Sequence, residues 1–255
     1  MNNSVSFGGG CYFSLNSQLC MNCGVSGSWL KLIACVSMLI DHMASHLFKG
    51  MDWAYYVFFQ IGHHEITPFF IMRSVIGRWA FPLFAFLIVE GFLHTHDRKK
   101  YGMNLLGFAL ISEIPFNLVH VNRFFWPVQN VFFTLLLGYL GLCVIERFRD
   151  DMKQLAKYLV PLFVASILFR SDYGCAGFGF ILMIYLLRNN KLLMSIVGTG
   201  ALPSTIFSGM AFIPIWFYNG ERGFVRGKVL KYAFYAFYPI HLLVLYFVKL
   251  HIYGP

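Results

Sequence analysis

Nine apolar runs separated by short polar stretches occupy most of the chain, and none of them alternates apolar and polar residues at every second position. They are Trp29–Phe48, Gly77–His94, Tyr101–His120, Gln129–Ile145, Leu155–Phe169, Gly174–Leu187, Lys191–Leu202, Ile206–Tyr218 and Tyr232–Leu250. Continuous runs of this kind predict helices; a transmembrane barrel would alternate. The first run sets the scale, since about 20 residues rising ~1.5 Å each cross a hydrocarbon core of ~30 Å. The sixth to eighth runs are shorter and predict tilted, proline-kinked (Pro203, Pro214) or re-entrant segments.

Between the first two runs, Gly50 to Ile76 is mixed. Its Trp53, Tyr55 and Tyr56, with His63, His64 and Glu65, read as interfacial, because Trp and Tyr favour the headgroup zone. Residues 1–28, rich in Gly, Ser and Asn, read as a flexible polar tail without the basic start and short apolar stretch of a signal peptide. The expected organisation is that tail, a single transmembrane domain over 29–250, and a short end at 251–255.

Composition agrees: 58% of the 255 residues are hydrophobic and 12% are charged, where soluble domains carry about 25% charge. The predicted fold class is an all-α polytopic membrane protein, with about nine transmembrane helices around a polar intramembrane cavity. The net charge of +9 comes from Lys and Arg scattered between apolar runs. That placement fits the positive-inside rule and not a nucleic-acid groove. With the N-terminus in the cytoplasm, fourteen basic residues face inward and six outward, so nine crossings leave the C-terminus outside. Cys11, Cys20 and Cys23 in the tail lack a fourth ligand at zinc-like spacing.

Ionisable residues inside the runs mark the candidate chemistry, because each costs about 2.5–3.5 kcal/mol to insert in lipid. Asp41 and His42 lie in the outer half of the first run, and His42 is the candidate general base. Sequence neighbours diverge by ~100° on a helix, so Asp41 can serve Arg78 while Glu113 orients His42. Arg78, at the start of the second run, can bind an anion or carbonyl oxygen. Glu113, beside Pro115, sits in a kinked niche of the third run, and Gln129 and Asn130 open the fourth. Asp172 precedes the sixth run, His241 is near mid-membrane in the ninth, and Glu90 shares a face with His94. His42 and His46 have i, i+4 spacing but lack the glutamate of the zinc helix H-E-x-x-H, and no metal is expected. The basic groups Arg98–Lys100 and Arg222–Lys231 set topology or bind cofactor phosphates.

Several motifs in order then resemble the TraX family across about Leu30 to Phe247: Met38-Leu-Ile-Asp41-His42, Gly77-Arg78-Trp-Ala-Phe-Pro82, Glu90-Gly91, Ser112-Glu113-Ile-Pro115-Phe, Gln129-Asn130-Val-Phe-Phe-Thr134, Asp172-Tyr173-Gly, and Phe237-Tyr-Pro-Ile-His241. The resemblance implies a bacterial, multispanning acetyltransferase similar to the acyltransferase type 3 group and the lysosomal heparan N-acetyltransferase. Its founding member acetylates the N-terminus of conjugative pilin. The implied cosubstrate is acetyl-CoA or another acyl-CoA from the cytoplasm. Its phosphates would lie against Arg98, Lys99, Lys100, Arg226 and Lys228, with Asn130 beside the acyl group. His42 would be the base, with Asp41, Arg78 and Glu113 around it and Asn130 or Arg78 on the oxyanion. Glu90, Gln129, Asp172, Tyr173 and His241 would line the acceptor cavity, and the acceptor would be a pilin, peptide, glycan or lipid head group. The competing expectation is a proton-coupled transporter using Asp41, His42, Glu90 and Glu113 as a relay; against it, each of these motifs occurs once, without the internal repeats common in transporters.

Overall fold

The computed structural model describes residues 24–62, 64–201 and 205–254. The expectations for the tail cysteines, for His63 and for Pro203 lie outside these residues. Helix α1 is Gly27–His46. Short 3₁₀ turns (Phe48–Gly50, Asp52–Tyr55) and a small antiparallel hairpin, β1 (Phe59–Ile61) with β2 (His64–Ile66), follow it. Then come α2 (Pro68–His94), α3 (Arg98–Val121), α4 (Val131–Arg147), α5 (Met152–Leu168), α6 (Gly174–Leu187), α7 (Lys191–Ala201), α8 (Thr205–Gly209), α9 (Phe212–Trp216) and α10 (Gly227–Tyr253).

The helix starts follow from local chemistry. Thr67 accepts from the Phe70 amide at 3.0 Å with Pro68 in the first turn of α2. Asp97 caps α3 through the Lys100 amide at 2.8 Å, and Asp151 caps α5 through Lys153 and Gln154. These side-chain oxygens satisfy N–H groups that have no partner within the helix. At the far end of α3, Asn122 takes a left-handed conformation (φ 54°), a short polar residue suited to that position.

Among the described residues, four segments are long and apolar enough to cross a membrane: Gly27–Gly50, Pro68–His94, Arg98–Val121 and Gly227–Tyr253. The second starts nine residues earlier than the apolar run at Gly77, absorbing the end of the stretch read as interfacial. It is not regular: Ile71–Ile76 widens to a π-helix and Gly77–Trp79 tightens to 3₁₀ before α-helix resumes at Ala80. Such local rewinding is frequent at functional sites. The apolar run Ile206–Tyr218 is broken into α8 and α9, and α7 rises only ~16 Å at 1.5 Å per residue.

Three of the long helices run side by side in the same direction. Near their starts, Tyr232 of α10 donates to Asn104 of α3, and Ser28 of α1 donates to the Arg222 carbonyl at 2.6 Å just before α10. Near their ends, Lys249 of α10 donates to the Val119 carbonyl of α3 at 3.1 Å, and Tyr253 donates to the Leu47 carbonyl after α1. Helix α2 runs back between these ends. The buried core joins α1, α2, α3, α4, α6 and α10 through residues such as Leu30, Leu83, Phe92, Leu105, Phe116, Tyr139, Ile181 and Leu242. By contrast, α5 buries only Ser166 and exposes Val160, Phe163, Val164, Ile167 and Leu168, as a helix facing lipid would.

Candidate functional site

Two imidazoles meet where α1 packs on α10. His42 Nδ1 is 2.7 Å from His241 Nε2, and the two ring planes are within 8° of each other. His241 Nδ1 is 2.8 Å from the Phe237 carbonyl one turn earlier. A carbonyl only accepts, so His241 Nδ1 carries a hydrogen and, in the neutral ring, Nε2 offers a lone pair. His42 Nδ1 must then be the donor. The consequence is that the neutral His42 ring keeps the lone pair of Nε2 for another proton. Tyr238 sits beside the pair, with ring centroids 6.2 Å from His42 and 5.6 Å from His241, and packs edge-on against Phe132 in the first turn of α4.

Asp41 turns to α2. Arg73 Nη1 reaches both its oxygens, at 2.8 and 2.9 Å, from within the π-helical segment. The carboxylate lies directly on Gly77, where any Cβ would collide with it. Ser37 donates to the Ile76 carbonyl at 2.7 Å in the same rewound turn. The partner of Asp41 is therefore Arg73 and not Arg78. Arg78 lies within electrostatic reach of Asp41 and Asp172, and its buried Nε has no hydrogen-bond partner among the described residues.

Glu113 does not orient His42; that place belongs to His241. The Asn130 amide donates to Glu113 Oε2 at 2.7 Å and to the Ala109 carbonyl at 2.8 Å, so both its hydrogens are committed. Its Oδ1 caps α4 through the Phe132 amide at 3.0 Å. Asn130 thus ties the start of α4 to the middle of α3. Gln129 acts through its backbone, accepting from the Asp172 amide at 3.0 Å, while Thr134 donates to Ser171 at 2.8 Å. Tyr173 stacks on Phe81 with centroids 3.7 Å apart, and Asp172 is exposed.

Glu90 stands apart from these groups, at the opposite end of α2. It accepts from Tyr218 at 3.0 Å and lies 3.7 Å from His94. Arg98, Lys99, Lys100, Arg226 and Lys228 are exposed at the end where α1, α3 and α10 begin. There Lys31 comes within electrostatic reach of Arg222 and Lys231, and Lys231 of Lys100 and Arg222, a convergence of cations from three helices and a loop. Lys31 is 11 residues before His42 and Lys231 is 10 before His241, so this basic end is ~15–17 Å along the helices from the imidazole pair.

Two further histidines continue past His42 toward the other end. The His46 ring is 6.0 Å from that of His42 and 4.5 Å from that of His120 on α3. His120 Nδ1 donates to the Phe116 carbonyl at 2.9 Å, and the buried His46 Nε2 has no hydrogen-bond partner among the described residues. The four imidazoles form a row, and no group of three His, Cys, Asp or Glu among the described residues is arranged to hold a metal ion. A groove of about 250 Å³ between α1 and α2 is lined by Trp29, Leu32, Ile33, Val36, Ser37, Ile76 and Trp79. It is apolar and distinct from the imidazole row.

Of the residues singled out in the sequence, His42 and His241 meet directly, Glu113 and Asn130 meet directly, and Asp41 pairs with Arg73 while Arg78 stays within electrostatic reach of it. Arg73, His120 and Tyr238 were not singled out. Tyr238 lies inside the Phe237–His241 motif, and Arg73 is the one charge within Phe69–Ile76, a usable signal in a stretch otherwise apolar but for Ser74.

Apolar helices of membrane length, with an ion pair and an imidazole row held between them, define a helical membrane protein. The chain belongs to the TraX family: the family described as TraX protein matches residues 26–249. It is 29% identical over 264 residues to the probable fimbrial assembly protein FimC, serogroup H1, of Dichelobacter nodosus, covering 90% of this chain and 98% of that one. No solved structure matches it.

Proposed function

We propose that this protein is a membrane-embedded acyltransferase with His42 as its general base. It would move an acetyl or other acyl group from cytosolic acyl-CoA to an amine or hydroxyl of an exported or membrane-associated acceptor. A pilin or peptide N-terminus is the first candidate, given the family and the fimbrial assembly relative. The observation that carries the reading is the hydrogen-bond order Phe237 carbonyl, His241, His42, which leaves His42 Nε2 a basic nitrogen inside the helix bundle.

The residues divide the work by position. The cations at the starts of α1, α3 and α10 would hold the phosphates of acyl-CoA, placing the acyl group ~15 Å further in, beside the imidazoles. The basic excess at this end supports reading it as the cytoplasmic side of a bacterial membrane, and in this reading about nine crossings surround a polar cavity and the C-terminus lies outside. His42 Nε2 takes a proton from the acceptor as it attacks the thioester carbonyl. The new C–N or C–O bond forms, the C–S bond breaks, and the proton passes to the departing thiolate. Imidazolium formed at His42 keeps its Nδ1–H bond to His241. The oxyanion falls to Arg78, whose Nε is uncommitted, because the Asn130 amide is already engaged.

The test is purified protein in vesicles, acetyl-CoA labelled in its acetyl group, and a peptide with a free N-terminus. Label on the peptide amine supports the reading. Intact acetyl-CoA together with proton movement across the vesicle wall would replace it with the transporter alternative.

A further inference from the structure

We propose that His46 and His120 form an exit path that carries the acceptor's first proton from His42 to the outer face of the bundle. This rests on the transferase reading and extends it. An α-amine has a pKa of about 8, so at neutral pH the acceptor arrives mainly as ammonium, which has no lone pair. Two protons must therefore be handled. The first leaves R–NH₃⁺ to give R–NH₂; the second leaves nitrogen as the amide forms and goes to the thiolate. The overall balance is ammonium plus acetyl thioester giving amide, thiol and one free proton. That proton needs a route out of a site walled by apolar helices.

The row supplies one. From His42 the rings step 6.0 Å to His46 and 4.5 Å to His120, and His120 is one residue from the end of α3, against Trp126 and the exposed loop carrying Phe124 and Phe125. Its Nδ1–H is spent on the Phe116 carbonyl, so Nε2 of the neutral ring accepts. His46 Nε2, buried and without a hydrogen-bond partner among the described residues, is the atom through which His46 can pass a proton on. A ring rotation or a bridging water spans steps of this length. The charged groups near the row are Arg73 on α2, bound to Asp41, and Lys249 on α10, bound to the Val119 carbonyl. Neither offers an acceptor for the proton. His241 is at the closed end, its Nδ1 committed to Phe237.

The experiment compares the wild type with His46→Gln and His120→Gln in vesicles, using acetyl-CoA and a triglycine peptide at pH 6.5 and pH 9. At pH 6.5 each variant should lose about tenfold or more in kcat relative to wild type, with the KM for acetyl-CoA unchanged. At pH 9, where the amine is already free base, each should return to within about twofold of wild type. An equal loss at both pH values, or none at pH 6.5, overturns the exit path while leaving the transferase standing. An N-blocked serine peptide provides a second measure within the same protein samples. A hydroxyl has no extra proton to shed, so either variant should acetylate it at the wild-type rate; slowing there too would mark a structural role. Wild-type protein that transfers no acetyl removes the transferase reading and the exit path with it.

Discussion

His42 on α1 and His241 on α10 are 199 residues apart in the chain and 2.7 Å apart in the structure, with one hydrogen shared between them. Fixing that hydrogen on His42 Nδ1 also fixes where the basic lone pair lies. His241 is a positioning residue in this arrangement, doing for His42 what a carboxylate does in a catalytic triad, but without a charge.

Replacing His241 with Phe keeps a ring of similar shape and removes the acceptor. The expected result is a loss of about 10- to 100-fold in kcat with little change in the KM for acetyl-CoA. His241→Gln, which can accept from His42 Nδ1–H, should restore part of the rate. Equal loss in both variants would point to packing instead of tautomer control. Steady-state kinetics on the two purified proteins decides this.

The Asp41–Arg73 pair makes a separate prediction about stability. The Asp41 side chain is 18% exposed and that of Arg73 is 35% exposed, so solvent screens part of the interaction. Arg73→Gln should still destabilise by about 1–3 kcal/mol, because it leaves a largely buried carboxylate on the Gly77 backbone without its cation. Adding Asp41→Asn should recover much of that loss. Thermal unfolding of the single and double variants in detergent gives the coupling, and strict additivity would mean that the pair contributes nothing.

The basic end makes the third. Arg222 and Lys231 belong to one basic stretch of the sequence, and the fold adds Lys31, which lies on a different helix. Changing all three to Gln should weaken acetyl-CoA binding at least tenfold at low salt, with a smaller difference at high salt, as screening predicts. Changing Arg98, Lys99 and Lys100 together tests the sequence-based assignment in the same titration. Affinity unchanged in both sets would leave these cations as topology signals only.

The long apolar helices were legible because hydropathy is local, and their boundaries at α1, α3 and α10 fall within a few residues of the apolar runs. The start of α2 was missed because Arg73 interrupts Phe69–Ile76. Its charge is paired there with Asp41, 32 residues away. His42 and Glu113 could be singled out one at a time, since an ionisable group in an apolar run is conspicuous by itself. Their partners could not: Glu113 pairs with Asn130 and His42 with His241 through helix packing that residue spacing does not encode. The parallel course of α1, α3 and α10 also explains why their basic starts gather at one end and the imidazoles gather further along.

Whether His42 Nε2 is the base is decided by separating binding from transfer in one variant. His42→Ala should bind acetyl-CoA with the wild-type Kd and transfer labelled acetyl in a single turnover at least about 100-fold more slowly. Transfer by this variant at the wild-type rate would mean that another group takes the acceptor's proton.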